Sequence, residues 1–574
     1  MNQITWLILQ RMRLPLLVLI ACYSVSILGM VLVPGIDEAG KPGHMDFFHA
    51  IYFITYVSTT IGFGEIPQTF SVAQRMWAIV SMYITVIAWI YSIGSILALA
   101  QNQAFRQTLV ERRFTNKVRR INEPFFLICG YGEAGSALAE AFTKYYIHVV
   151  VIDINPDRIN ELSLKDQDYR VFVPGLCADA EIPEHLLEAG LCHPSCCRII
   201  AVTGNDEVNL KIATTSKLLN PDLKVICRSD HADIAANMDS FGTNFIIDPF
   251  QIFADLLALA LHSPDHYALF KWFTGIAHTQ FKQPRVPPHG KWVICGYGRL
   301  GRALKQRLDE LDIQSIIVEP GPVSGDVPAE YIQGRGTEEY TLTEAGIQDA
   351  ACIVAGTNDD VNNLSIIMTA RELNPNLFIV ARQNREKNHA LFDALNADMA
   401  LHPYLILANT IRVLLIPPML NDFLKAVRQY ENTWAREMMQ YLIERFGDSS
   451  IPDIWQVRIN TDEAEAVYNA ISDGAEINIA HLMQDTATQD QHLPCYPLLV
   501  RRNKERFLMP DEKFVLQYGD RILFCGTQVA YSSMQLLVQN YYVLNEMLTG
   551  QHIPRSILWR WISNRWNVAR QARA

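Results

Sequence analysis

Hydrophobic positions fall into three regimes along the chain. From Leu14 to Ile36, and again from Met76 to Phe105, no side chain is charged. Each run exceeds the ~20 residues that cross ~30 Å of hydrocarbon, so both predict membrane-spanning helices. Between them, Phe47 to Val57 is apolar but too short to cross, and it predicts a re-entrant helix. Beyond about residue 122 the pattern changes to short apolar runs alternating with amphipathic stretches, which predicts parallel sheets flanked by helices. The first long run follows Arg11 and Arg13 as a secretory signal would, but it is long and ends without a small-residue cleavage pattern, so it reads as a span.

The short helix leads into Ser58-Thr59-Thr60-Ile61-Gly62-Phe63-Gly64-Glu65. Irregular backbone at membrane depth is tolerated only where protein buries it or where it lines an aqueous path. Glycines at 62 and 64 permit conformations closed to other residues, so that successive carbonyls turn toward one axis and replace an ion's hydration shell. The negative end of the Phe47–Val57 helix then favours a cation. The segment resembles the potassium-channel signature Thr-Val-Gly-Tyr-Gly-Asp, with Ile61, Phe63 and Glu65 as departures. That resemblance implies a selectivity filter at Thr60, Ile61, Gly62, Phe63 and Gly64, K+ as the permeant ion, and a homotetramer, because one chain supplies one of four strands. No series of arginines precedes the pore, so voltage sensing is not expected. The second span's single glycine, Gly94, lies well toward one end and leaves the bending point of a gate open.

A repeat organises the rest. The strand Phe125 to Cys129 runs into Gly130-Tyr131-Gly132-Glu133-Ala134-Gly135, and Lys291 to Cys295 runs into Gly296-Tyr297-Gly298-Arg299-Leu300-Gly301. In each copy a second strand ends in an acid 23 residues after the first glycine, Asp153 and Glu319. This is a dinucleotide-binding arrangement: glycines for a tight turn, a helix N-terminus for phosphate, a carboxylate for ribose. The copies go on matching, Thr203-Gly204-Asn205-Asp206 with Gly356-Thr357-Asn358-Asp359 and Ile226-Cys227-Arg228 with Val380-Ala381-Arg382. The fold class expected is an α-helical transmembrane pore domain plus an α/β cytoplasmic region with two Rossmann-like doubly wound parallel sheets and a small α+β C-terminal subdomain. Over residues 122 to 545 the sequence resembles RCK domains, regulators of potassium conductance; with the pore it resembles two-transmembrane-helix prokaryotic potassium channels with tandem RCK domains.

The two turns carry different charge. Glu133 and Asp153 in the first favour ribose and disfavour extra phosphate, which suits NAD or a nucleotide with few phosphates. In the second, Arg299 and Arg335, the latter in place of Asp179, add positive charge for an adenine nucleotide. Arg228 and Arg382 end matching strands within reach of phosphate. Either copy can also be a Rossmann fold that has kept its shape and lost its ligand. The resemblance further suggests Ca2+ or another divalent cation, for which Asp206, Glu207, Asp230 and Asp233 are candidate oxygen ligands, with solvated helix caps as the alternative. Cys192, His193, Cys196 and Cys197 form a CHxxCC cluster, but no second pair is near to close a tetrahedral zinc site.

Composition places these parts. At 574 residues the chain holds several cores. The divisions expected are a pore domain at 1–105, with spans about 14–36 and 76–105 and the re-entrant helix and filter at 47–65. A basic linker at 106–121, a first RCK domain at 122–250, a helical crossover at 251–288 and a second RCK domain at 289–404 follow. A second crossover with the C-terminal subdomain at 405–545 and a basic Trp/Arg-rich tail at 546–574 complete the chain. The tail suits an anionic membrane lipid surface, or packing on the sensing domains. Arg11 and Arg13 before the first span and six basic residues from Arg106 to Arg120 after the second predict cytoplasmic termini, in a prokaryotic inner membrane. Cysteines inside apolar runs suit reduced thiols, and a net charge of −11 without a basic stripe excludes a nucleic-acid partner. The expected function is a ligand-gated potassium channel subunit, not an enzyme. The rival readings are a regulatory subunit of a potassium transporter and a membrane-anchored NAD-dependent oxidoreductase, which leave the filter-like segment unexplained.

Overall fold

A computed structural model describes residues 3–36, 42–62, 70–101, 103–275, 281, 283–322, 330–446, 451–485 and 491–549. The chain divides into two compact units, one running to Asn122 and one from Glu123 onward.

In the first unit, helices Gln3–Leu32 and Val72–Gln101 contain the two segments long and apolar enough to cross a membrane, Met12–Leu32 and Val72–Ala98. The first helix stops short of the apolar run's end at Ile36 because Pro34 and Gly35 cannot prolong it. Trp77 joins the two helices by donating its indole N–H to the carbonyl of Ser26 at 3.0 Å. Gly29 makes room for that ring: a Cβ there would lie 2.0 Å from it. The basic stretch expected as a linker is helical over Gln103–Val118.

In the second unit each repeat forms a six-stranded, all-parallel sheet. The first has the spatial order Gly175–Cys177, His148–Asp153, Phe125–Cys129, Cys196–Ala201, Lys224–Arg228, Phe245–Ile247. The second repeats it with Tyr331–Gln333, Ser315–Glu319, Trp292–Cys295, Cys352–Ala355, Phe378–Arg382, Met399–Leu401. Both have the doubly wound 3-2-1-4-5-6 order, with the switch point between the first and fourth strands. The central strands are buried on both faces, as their unbroken apolar runs require.

The helices that leave the two sheets change places. Helix Pro249–His262 follows the last strand of the first repeat, yet Phe250, Leu257 and Leu261 pack with Trp292, Leu300 and Leu304 of the second. Helix Pro403–Leu415 follows the second sheet, yet Leu407, Ile411 and Leu415 pack with Phe126, Leu138 and Phe142 of the first. Each repeat therefore completes the other's core.

The C-terminal part is a four-stranded antiparallel sheet, ordered Asp453–Arg458, Arg521–Gly526, Cys495–Arg502, Glu505–Leu508. Its fully buried Asp520 carboxylate accepts from Arg502 Nε and Nη2 at 2.9 and 2.7 Å.

Candidate functional site

The pore segment begins with helix Phe47–Ser58, whose first turn Asp46 caps by accepting from the Phe48 N–H at 3.1 Å. Ala50, Phe53, Ile54 and Tyr56 bury its inner face with Met30 and Met45, and Ser58 bonds the hydroxyl of Tyr23. The chain then turns sharply: the N–H groups of both Ile61 and Gly62 donate to the carbonyl of Tyr56. Thr60 and Gly62 take left-handed backbone angles, φ 60 and 57. For a β-branched threonine that conformation costs about 1–3 kcal/mol, a strain usually found where function demands it. Of the filter residues read from the sequence, Phe63 and Gly64 lie outside the described residues, as do Glu65 and the tail from residue 550.

The two glycine turns superpose in their chemistry. Gly130 and Gly296 have φ of 100 and 102. A Cβ on Gly135 would stand 2.0 Å from the carbonyl oxygen of Gly130, and one on Gly301 would stand 2.1 Å from that of Gly296. Close passage of helix against turn therefore requires glycine at both positions. Gly132 and Gly298 cap helices Glu133–Lys144 and Arg299–Glu310, whose free N–H groups face the sheet's switch point.

The acids at the second strand ends have a first duty within the protein. Asp153 accepts from the N–H groups of Tyr131 (2.6 Å) and Asn155 (2.7 Å) and meets Arg158 at 3.2 Å. Among the described residues Glu319 accepts from the N–H of Tyr297, at 2.7 Å, through one oxygen. Both thus close the glycine turn; a carboxylate accepts more than one bond per oxygen, so ribose hydroxyls remain within their chemistry. Asp179 caps its own loop by accepting from the Glu181 N–H at 2.9 Å, and its counterpart Arg335 is exposed.

Contacts between repeats are what the sequence did not reveal. Arg299 pairs with Asp230 of the first repeat, and Asp230, whose side chain is 2% exposed, is also held by Arg228 Nε and Nη2 at 2.9 and 2.6 Å. At the equivalent place in the other turn, Glu133 accepts from the backbone N–H of Glu386 in the second repeat, at 3.1 Å. Burial, set against that bond, pushes the Glu133 carboxyl above its usual range. Phe250 presents its ring to two guanidinium groups, Arg382 at 4.7 Å and Arg299 at 5.0 Å. Burial and then the charge of Arg299 push Arg382 down to about 10, and its buried Nε has no hydrogen-bond partner among the described residues. Arg158 and Phe250 carried no sequence signal, since neither belongs to a turn motif.

The four carboxylates considered for a metal are placed differently from one another. Asp206 accepts from the N–H groups of Asp230 and His231 and from His231 Nδ1, at 2.7, 3.0 and 2.7 Å. Asp230 is taken by two arginines, while Glu207 and Asp233 stand in helix first turns. Among the described residues no group of three or more His, Cys, Asp or Glu is assembled to hold a metal, the CHxxCC cluster included. Cys192 and Cys197 are exposed and Cys196 buried, all as free thiols.

Two membrane-length helices around a short capped helix, joined in one chain to two Rossmann repeats, define a membrane channel with a regulatory region of nucleotide-binding type. The chain matches the family described as ion channel over residues 15–102 and the TrkA-N domain twice, at 126–249 and 292–403. It belongs to the prokaryotic potassium channels that join a two-helix pore to TrkA-N, or RCK, domains, a family of channels and not of enzymes. Relatives include probable potassium channel protein 2 of Methanocaldococcus jannaschii, 26% identical over 240 residues, covering 42% of this chain and 68% of that protein. Potassium channel protein 1 of the same organism is 25% identical over 221 residues, 38% of this chain and 64% of that one. The chain thus aligns with about two thirds of the length of these relatives. Among solved structures, the GsuK channel is 18% identical, with 96% of this chain and all of that one covered and a TM-score of 0.47. A GsuK structure bound to ADP is 22% identical, covering 72% and 99%, with a TM-score of 0.43.

Proposed function

We propose that the chain is one subunit of a homotetrameric, potassium-selective channel whose gate is set by nucleotides at the two RCK turns. The observation that carries the reading is the reciprocal contact of the turns. The first residue of each glycine-capped helix, Glu133 or Arg299, already touches the loop after the fifth strand of the other repeat. A phosphate arriving at either turn must therefore change a contact between repeats. A ligand that prefers one arrangement by ~1–3 kcal/mol shifts the equilibrium several-fold to a hundredfold. In the tetramer eight repeats form the ring, and residues 106–121 carry its change of shape to the second span.

The first turn, with Glu133 and Asp153, suits a dinucleotide such as NAD. The second, with Arg299, Arg382 and the nearby Arg228, suits an adenine nucleotide such as ADP, whose phosphates guanidinium groups hold bidentately. A divalent cation at Asp206 and Asp230 has to compete with bonds those carboxylates already make, so it belongs to this reading only as a ligand that displaces Arg228 or Arg299. The filter is Thr60 to Gly64, and both termini face the cytoplasm of a prokaryotic cell.

The test is potassium and sodium flux through the purified protein in liposomes, with and without NAD, ADP and calcium, beside Gly62→Asp. Potassium-selective flux that a nucleotide modulates and the variant abolishes is expected. Flux that ignores every nucleotide, or that survives Gly62→Asp, overturns the reading.

A further inference from the structure

The exchanged helices leave a cleft that the nucleotide turns do not use. Helices Pro403–Leu415 and Pro418–Val427 meet at a 101° bend, and against them lie Pro249–His262 and Pro264–Thr274. Between them is a cavity of about 250 Å3. Its walls are apolar, with Leu256, Ile406 and Leu414 among them, but three cations also line it: Lys271, Lys425 and Arg428.

The charge in this cleft is unbalanced. Its one carboxylate, Asp255, is already bound by Arg307 at 2.7 Å and by Gln251 at 3.2 Å. Lys271, Lys425 and Arg428 make no ion pair or side-chain hydrogen bond among the described residues. Protein crowded around Lys271 pushes its ammonium below the usual lysine range, although its side chain, like those of Lys425 and Arg428, is exposed to solvent at the cleft. Exposed cations that make no ion pair among the described residues, set beside apolar walls, offer an entering anion a counter-charge. Apolar walls beside them favour a ligand that is not a bare inorganic ion.

We propose that this cleft is a third ligand site of the chain, distinct from both nucleotide turns, and that it takes a small organic anion with an apolar body, of the aryl-alkyl carboxylate kind. The carboxylate meets Lys271 with Arg428 or Lys425, and the apolar body lies along Leu256, Ile406 and Leu414. Because the walls come from helices that bridge the two repeats, an occupant braces the junction between them.

The experiment is calorimetric titration of the full chain in detergent with 4-phenylbutyrate, 4-phenylbutanol and 4-phenylbutylamine, with NAD and ADP held saturating. Saturable binding of the acid is expected, with the alcohol at least about tenfold weaker, as for loss of a charged hydrogen bond, and the amine silent. Lys271→Met should weaken the acid by a similar factor and leave nucleotide binding unchanged. Equal binding of acid and alcohol overturns the proposal, because it shows an apolar cavity alone; so does displacement of the acid by NAD or ADP. Should Lys271→Met fold poorly, Arg428→Gln and the comparison of the three probes on the unaltered chain still decide.

Discussion

Arg299, at the start of the helix after the second glycine turn, forms an ion pair with Asp230 of the first repeat. The two partners are not equivalent. The Asp230 side chain is 2% exposed and also binds Arg228, which is 20% exposed, whereas Arg299 is 41% exposed. Removing the acid leaves a partly buried arginine without its counter-charge, and Asp230→Ala should cost about 3 kcal/mol. Arg299→Gln removes a half-exposed partner and should cost less than about 1 kcal/mol. Thermal unfolding of the two variants beside the unaltered chain checks the order.

Gly135 and Gly301 test whether the two turns bind independently. A methyl group at either meets a backbone carbonyl at 2.0 or 2.1 Å, and neither atom is the end of a flexible side chain. Gly135→Ala should destabilise the first repeat by about 1–3 kcal/mol and deform its turn. Titration should then show nucleotide lost from the first site and kept at the second, with Gly301→Ala giving the reverse.

His402 makes stability depend on pH. Burial, together with the nearby charges of His389 and Lys271, pushes it down to about 4. The unfolded chain binds a proton there near pH ~6.5, while the folded one stays neutral until about 4. Between those values the unfolded state holds more protons, so stability falls as pH falls from ~6.5 to ~4 and then levels. The group's contribution across that window is about 3 kcal/mol. Urea unfolding from pH 7 to 4 should show the decline, and His402→Gln should flatten it.

Within the pore unit, Gly29 should tolerate no side chain. Its Cβ would enter the indole of Trp77, which bonds the Ser26 carbonyl and so ties the two spanning helices. Gly29→Leu should expel Trp77 and lower stability by about 1–3 kcal/mol. Loss of thermal stability in detergent, with the tryptophan emission moved to longer wavelength, checks it.

Local patterns could be read before the fold was seen. The turns at Gly130 and Gly296 declare themselves because three glycines and a distant acid each answer to one short stretch of backbone. The spans declare themselves through the absence of charge. What stayed hidden depends on residues far apart in sequence: Glu133 meets Glu386 across 253 positions, and Arg299 meets Asp230 across 69. Nothing in a local window tells Phe250, an ordinary core phenylalanine by its neighbours, that it will lie between two arginines of the other repeat. The four carboxylates considered for a metal show the same limit from the other side. Asp206 and Asp230 sit at strand ends and helix starts, where a metal site is often built, but the same positions are where backbone N–H groups and arginines claim carboxylates first.

The exchange of helices between the two sheets makes each repeat dependent on the other. A single repeat cut from this chain would expose Leu138 and Phe142, which Leu407 and Ile411 cover only from the far side of the duplication. Such a piece would have to borrow the covering helix from a second molecule. With both repeats in one chain the lender is tethered, so the partnership does not depend on concentration or exchange, and the two halves can carry turns of opposite charge.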